Sequence, residues 1–295
     1  MTKSAVLIVN TKSREGGDKF RQACEELEKH GITLVRTYGL RDPRRVPEMV
    51  EREIASKVPL IVVGGGDGTL SCAAGHFVGS QSILGVLPLG TGNEFARDLS
   101  LSCDVSAACD VIANGQMTEI DLGVVNGKYF INVATIGLTT LIAQNLTYDA
   151  KKKWGKFVYV FALAHALMRI RPFNVTLQTT EGTRTFQTIQ LVIGNGRFHA
   201  GPFPLSPDAT ITDGKLVVYA LDGSSRWTLF KFALNLPGGH HVELAEVPTF
   251  STTGGRIETL PTERVTVDGE ICLCTPLSFE IKPRALQVMT PLGFQ

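Results

Sequence analysis

The sequence predicts an α/β domain at the N-terminus followed by a β-sandwich. Three observations carry this. Continuous apolar runs alternate with amphipathic stretches up to about residue 122. After that point short alternating runs replace them, separated by turn dipeptides such as Glu181-Gly182 and Asp222-Gly223. Two glycine-rich loops each follow an apolar run directly, as strand-to-helix turns do.

Ala5–Asn10 reads as a strand buried on both faces. Asp18–His30 is an amphipathic helix, closed by Gly31. Ile32–Thr37 is the second strand, and Pro43–Lys57 a charged helix with Pro47 near its first turn. Leu60–Val63 and Ile83–Leu87 are the third and fourth strands. This repetition implies a mostly parallel sheet with helices on both faces.

The later strands are expected at Lys128–Ala134, Asn174–Thr179, Thr185–Gly194, Lys215–Leu221, Val247–Thr252, Ile257–Leu260, Val265–Asp268 and Leu277–Ile281. Helices are expected over Lys152–Arg169 and Arg226–Leu236. The expected division is 1–123 for the α/β domain and 124–284 for the sandwich, with the break near Leu122–Asn126.

The chain has 295 residues, 43% hydrophobic and 19% charged, which is ordinary for a folded protein and far from disorder. A formal net charge of +1 gives no long-range field toward nucleic acid. The N-terminal apolar run is too short for a signal peptide. Phe157–Met168, broken by His165, is too short to span a bilayer. The protein is expected to be cytoplasmic, with any membrane contact peripheral. Six cysteines lack zinc spacing and are expected to be reduced and structural, with Cys272 and Cys274 on one face of a strand.

Leu60–Leu70 reads LIVVGGGDGTL. Glycines let the backbone turn tightly and approach a ligand. Exposed N–H groups and a following helix N-terminus favour phosphate. Asp67 places a carboxylate at that point, which suits an intervening Mg²⁺ or a hydrogen-bond network. Thr69 is able to cap the helix or bond a phosphate oxygen. The spacing matches neither a Walker A loop nor a dinucleotide fingerprint. A plain tight turn with Asp67 as a cap is the bland alternative.

Leu87–Leu99 reads LPLGTGNEFARDL, again a strand, a glycine-rich turn and a helix. Both loops fall at the carboxyl edge of one sheet, where ligands bind in open α/β folds. A helix capped by Asn93, with Glu94 in its first turn, explains those two residues but not Gly-Thr-Gly.

GGGDGT followed by PLGTGNEFAR resembles the diacylglycerol kinase catalytic-domain family, and among its members the compact bacterial lipid kinases. Later markers in the same order are IGNGRFHAGPFP at Ile193–Pro204, PDATITDGKL at Pro207–Leu216 and VDGE at Val267–Glu270. The resemblance covers almost the whole chain. It implies a three-layer nucleotide-binding α/β domain, a β-sandwich, an active site in the cleft between them, and a last segment, 285–295, that returns to the first domain. It also implies an ATP-dependent kinase acting on a membrane lipid.

By similarity, ATP contacts fall on Asn10, Thr37, Gly65, Gly66, Asp67, Gly68, Thr69 and Thr91. Lys12 and Arg14 resemble the basic residues near the phosphates, although a solvated loop also explains them. The acidic network for the catalytic Mg²⁺ falls on Asp67, Glu94 and Asp121. Glu94 stands where Asp is usual, one methylene further out, and Asn10-Thr11 where Asn-Pro is usual. Asp268 matches the general base, which phosphoryl transfer to a hydroxyl needs. Glu270, on the same side of an extended segment, is a candidate to share that task. A second Mg²⁺ is implied at Thr210, Asp213 and Lys215, where Asp213-Gly214 is also an ordinary turn.

Lys151–Lys156, with Trp154, precedes an apolar helix and suits a membrane interface. Core packing of Phe157, Val160, Phe161, Ala164 and Leu167 explains the same helix. An NAD kinase also carries GGDGT, but the GTGNEFAR and GNG…DGKL segments favour the lipid-kinase branch. A non-catalytic nucleotide- or lipid-binding regulator is the other rival, against which Asp67 and Asp268 both stand. Which lipid is used is open, and a homodimer is compatible with the sequence.

Overall fold

The computed structural model describes residues 3–13, 15–145, 170–197, 209–221 and 249–294. The first half alternates as expected. Strand β1 (Lys3–Asn10) is followed by helix α1 (Gly16–Lys29), β2 (Ile32–Leu40), α2 (Val46–Ala55), β3 (Leu60–Gly65), α3 (Asp67–Ala74), β4 (Ile83–Pro88), α4 (Glu94–Asp98) and α5 (Val105–Asn114). The stretch expected as one helix over Pro43–Lys57 divides. Pro43–Arg45 is a 3-10 turn started by the Asp42 side chain, which accepts from the Arg44 N–H. The α-helix then ends before Lys57, whose φ of 56° is left-handed.

β1 pairs in parallel with β2 and β3, and β3 with β4. Successive β1 residues feed two different cores. Val6 and Ile8 pack with residues of α2, α3 and α4, among them Met49, Leu70 and Phe95. Ala5, Leu7 and Val9 pack with Ala23 and Leu27 of α1 and Ile112 of α5. Helices therefore cover both faces of the sheet, which is why its strands are apolar without alternation.

The second half contains β5 (Gln116–Val125), β6 (Lys128–Phe130), β7 (Val133–Gly137), α6 (Leu138–Asn145), β8 (Phe173–Thr179), β9 (Gly182–Thr188), β10 (Gln190–Gly194), β11 (Leu216–Leu221) and β12 (Thr249–Thr252). β13 (Gly254–Leu260), β14 (Arg264–Val267), β15 (Glu270–Cys274) and β16 (Leu277–Thr290) complete it. A six-stranded sheet runs β12-β11-β10-β7-β14-β15. It shares a core with β5, β6, β8, β13 and β16, through Val125, Phe130, Ile136, Val175, Leu191, Ile257, Val265 and Phe279. The architecture is an α/β unit followed by a β-sandwich.

Several expectations are corrected. The run Lys128–Ala134 is two strands, broken at Ile131-Asn132. Thr185–Gly194 is also two strands, in different sheets. The buried Thr188 hydroxyl marks that corner, 2.7 Å from the Leu221 carbonyl. Leu277–Ile281 and the returning Leu286–Thr290 form one long strand, β16, with a register shift between Lys282 and Leu286 and Arg284 at φ 51°. β16 pairs with β13 of the sandwich and in parallel with β4, so one ten-stranded sheet runs through both units. All six cysteines are free, but only Cys109 is buried, while Cys103, Cys272 and Cys274 are exposed. Cys272 and Cys274 do lie two apart on one strand, β15. The expected helices over Lys152–Arg169 and Arg226–Leu236 lie outside the described residues, as does the lysine-rich Lys151–Lys156. Among the described residues no helix is long and apolar enough to cross a membrane.

Where β5 passes between the units, Gly123 lies against the Phe130 ring, and a Cβ there would overlap three ring atoms. Gly123→Ala therefore forces the buried Phe130 to move. The expected cost is about 2 kcal/mol, typical of an overpacked core, read as a lowered denaturation midpoint at unchanged m-value.

Candidate active site

Parallel pairing brings the ends of β1, β3 and β4 side by side, at Asn10, Gly65 and Pro88. Both glycine-rich loops thus leave the same edge of the sheet. They also touch. A Cβ at Gly90 would meet the Gly66 Cα at 2.5 Å. The Leu89 N–H donates to the Gly65 carbonyl at 2.9 Å. The glycines serve loop-to-loop contact as well as approach by a ligand.

The second loop is closed on itself by Asn93, at φ 51°. Its Oδ1 accepts from the Gly90 N–H at 2.9 Å, and its Nδ2 donates to the Gly90 carbonyl at 3.0 Å. Asn93 occupies the N-cap position of α4, but its side chain does not cap the helix. Asp67 does so instead, its Oδ1 accepting from the Phe95 N–H at 3.1 Å. The first loop's acid therefore holds the second loop's helix. Asn10 donates through Nδ2 to Thr69 Oγ1 at 2.9 Å, tying β1 to α3. Thr69 neither caps α3, whose N-cap is Gly66, nor is exposed.

Gly68 in the first turn of α3, Thr91 in the second loop and Thr37 on β2 are exposed. Lys12 is exposed after β1, its N–H donating to Asn10 Oδ1 at 3.1 Å. Arg14 lies outside the described residues. Glu94 opens α4, and Asp67 accepts from the N–H of the residue after it. Asp121 is buried in β5, with Oδ1 accepting from the Arg284 N–H at 2.8 Å and Oδ2 from the Gly214 N–H at 2.7 Å. Asp213 accepts from the N–H groups of Lys215 (2.8 Å) and Thr210 (3.3 Å), with Gly214 at φ 70°. The Thr210–Lys215 segment is thus a turn closed by Asp213 and moored to Asp121. Among the described residues no three His, Cys, Asp or Glu side chains converge as a metal site.

Asp268 and Gly269 form the two-residue turn of the β14–β15 hairpin, both with positive φ, at 45° and 86°. That is the geometry Asp-Gly favours. The Asp268 side chain reaches back to the break between β6 and β7. Its Oδ1 accepts from the N–H groups of Asn132 (3.0 Å) and Val133 (2.9 Å). Its Oδ2 accepts from the Ile131 N–H (2.8 Å) and the Ser71 hydroxyl (2.6 Å). These bonds are why the expected single strand is interrupted, since its N–H groups point at a carboxylate. Burial pushes the Asp268 carboxyl above its ordinary value, against the pull of those hydrogen bonds.

Glu270 does not share this position, because the turn removes the side-by-side relation an extended segment would give. Its carboxylate lies 3.7 Å from Lys128 Nζ and 3.8 Å from Cys72 Sγ. Burial works against the charge on Lys128, but the Cys272 sulfur and Glu270 beside it raise its pKa. Burial and Glu270 both push the Cys72 thiol up. Ser71 and Lys128 were missed in the sequence. For Ser71 a signal existed, since it follows Asp67 by four residues on one helix face. For Lys128 none did.

The family model described as "Diacylglycerol kinase catalytic domain" matches residues 4–125. That described as "YegS C-terminal NAD kinase beta sandwich-like domain" matches residues 133–290. The chain belongs to the diacylglycerol kinase catalytic-domain family, and lipid-kinase function in its general form comes with that membership. Among its relatives, a protein named "Diacylglycerol kinase" from Mycobacterium tuberculosis (strain ATCC 25618 / H37Rv) is 31% identical over 279 residues, covering 91% of this chain and 88% of that one. A "Probable lipid kinase YegS-like" from Pseudomonas aeruginosa (strain UCBPP-PA14) is 32% identical, covering 99% and 96%. The solved structure of a diacylglycerol kinase from Bacillus anthracis str. Sterne aligns with a TM-score of 0.74 at 22% identity, covering 98% and 97%. Another from that organism reaches 0.83 at 22% identity, covering 99% and 97%. At that identity these two structures speak to fold alone.

The contact between the loops is testable. Gly90→Ala drives the second loop off Gly66 while leaving both cores intact. ATP affinity measured by calorimetry is expected to fall at least about tenfold, ~1.4 kcal/mol, with the thermal midpoint within a few degrees of wild type.

Proposed function

We propose that the protein transfers the γ-phosphoryl group of ATP to a hydroxyl of a membrane lipid of the diacylglycerol type, with Asp268 taking up the hydroxyl proton. The observation that carries this is the hydrogen bond from Ser71 to Asp268. It sets the Asp268 carboxylate against α3, the helix that the glycine-rich loop begins. A phosphate donor and a proton acceptor are what transfer to an alcohol requires.

In this reading the N-terminal unit is a three-layer nucleotide-binding domain, and the reaction takes place between it and the sandwich. The ATP phosphates lie on the N–H groups of the two loops, with Gly65, Gly66, Gly68, Thr69 and Thr91 about them. Asn10 and Thr37 border the nucleotide, and Lys12 and Arg14 offset phosphate charge. Asp67 uses Oδ1 for the Phe95 N–H, which leaves Oδ2 beside Gly92, where a Cβ would stand 2.8 Å away. One such oxygen, on a carboxylate that also holds the start of α4, where Glu94 stands, suits Mg²⁺, which keeps several waters and takes phosphate oxygens as ligands. Bound there, the ion would neutralise charge on the phosphates. Asp121 then supports the site from below, through Arg284 and Gly214. A second ion at Thr210, Asp213 and Lys215 would draw on a turn in which each Asp213 oxygen accepts one N–H group and keeps a further lone pair. The enzyme works in the cytoplasm, at the membrane surface.

Purified protein with Mg-ATP and vesicles carrying diacylglycerol is expected to yield phosphorylated lipid. Asp268→Ala should lower turnover by about 10²–10⁴, the range for general bases, with ATP affinity kept. Phosphorylation of NAD, with none of any lipid in a panel, is the result that rejects this reading.

The base must be ionised to act. Turnover should therefore rise with pH through a value above the ordinary carboxyl range. For stability the sign is opposite. A carboxyl raised in the folded state contributes stability below its unfolded value, and this is lost as pH rises through the folded value. A pH–rate profile whose acid limb lies at or below an ordinary aspartate would contradict the assignment.

A further inference from the structure

The Asp268 carboxylate has a supply problem. Its two oxygens offer about four lone-pair positions, and four donors occupy them. Three are backbone N–H groups of consecutive residues, Ile131 to Val133, which are themselves buried. Their position is further fixed by the Asp268 N–H, which donates to the Val133 carbonyl at 2.9 Å. None of the three can leave without tearing the join between β6 and β7. An acceptor hydroxyl arriving at this carboxylate therefore finds no open lone pair.

The fourth donor differs. Ser71 is a half-buried side chain on α3, and its Oγ–Oδ2 distance of 2.6 Å is that of an O–H···O⁻ bond. A hydroxyl that donates one hydrogen bond still has two lone pairs of its own. It also faces the region between the glycine-rich loop and the sandwich, four residues after Asp67.

We propose that the Ser71 hydroxyl relays the proton of the acceptor lipid to Asp268. This rests on the lipid-kinase reading. The lipid O–H gives its proton to Ser71 Oγ, while the Ser71 proton moves to Asp268 Oδ2. The lipid oxygen forms its bond to the γ-phosphorus as the bond from that phosphorus to the bridging oxygen breaks. ADP leaves with the electron pair. Ser71 ends as it began, with one proton, and Asp268 ends neutral until solvent takes its proton.

The competing arrangement has Ser71 rotate away, so that the lipid hydroxyl replaces it on Oδ2. The two differ in sign at one variant. Ser71→Ala removes the relay in the first case and vacates the needed lone pair in the second.

The experiment compares wild type, Ser71→Ala and Ser71→Thr with Mg-ATP and diacylglycerol vesicles. It reads kcat, KM for both substrates, the pH profile and the rate in mixed light and heavy water. A relay predicts that Ser71→Ala lowers kcat by about a hundredfold with KM for ATP unchanged. It predicts that the acid limb shifts to higher pH, because a hydrogen bond to the ionised form is lost. It predicts that the wild type's bowed proton inventory becomes linear, and that Ser71→Thr restores most of the rate. Equal or greater kcat in Ser71→Ala overturns the relay and leaves the kinase reading intact. Absence of lipid phosphorylation in the wild type overturns both. Thermal midpoints of the three proteins show whether each is folded, and a folded Ser71→Thr without recovered rate also counts against the relay.

Discussion

The carboxylate of Asp268 draws together three pieces of chain that are far apart in sequence. It collects the N–H groups of Ile131, Asn132 and Val133, and it meets Ser71 of α3. The hairpin and Val133 belong to the six-stranded sheet, Ile131 and Asn132 to the link that leads into it from the ten-stranded sheet, and Ser71 to the helical cover of the N-terminal unit. An isolated ionised group would resist burial at this junction. Four donors make burial tolerable, while burial pushes the carboxyl above its ordinary value.

The same device recurs. Asp67 accepts the N–H of Phe95, the second residue of α4, and Asp121 accepts from Arg284 and Gly214. In each case the backbone leaves regular structure, at a helix start or a strand irregularity, and an aspartate takes up the orphaned donors. Arg284 lies at the register shift of β16, where the ladder to β5 is interrupted. Carboxylates thus stand at the seams of the fold, and the seams surround the candidate site. Asp67 keeps one oxygen, Oδ2, beyond its bond to the Phe95 N–H, facing Gly92.

Much of the first unit was legible because its signals are local. An apolar strand ending in glycines reports both buried faces and a close approach of backbone. Val6 and Ile8 on one side, with Leu7 and Val9 on the other, need no distant partner to be read as core. The sandwich was harder. The break at Ile131-Asn132 depends on Asp268, over a hundred residues away, and the corner at Thr188 depends on Leu221. Neither leaves a trace in periodicity. Glu270 was misplaced for a related reason. Alternation along a strand fails where a two-residue turn intervenes, and only the backbone shows that Asp268 has a positive φ.

The sequence alone determined the class of fold, the two loops at the sheet's carboxyl edge and the acids expected to act there. These follow from short-range rules: side-chain period, glycine's conformational freedom and turn chemistry. Tertiary structure decided what each acid is bonded to. It made Asp67, rather than Asn93, the cap of α4. It paired Glu270 with Lys128, and it set Ser71 against Asp268. Hydrogen bonds and burial join residues by position in space, and spacing along the chain does not encode that position.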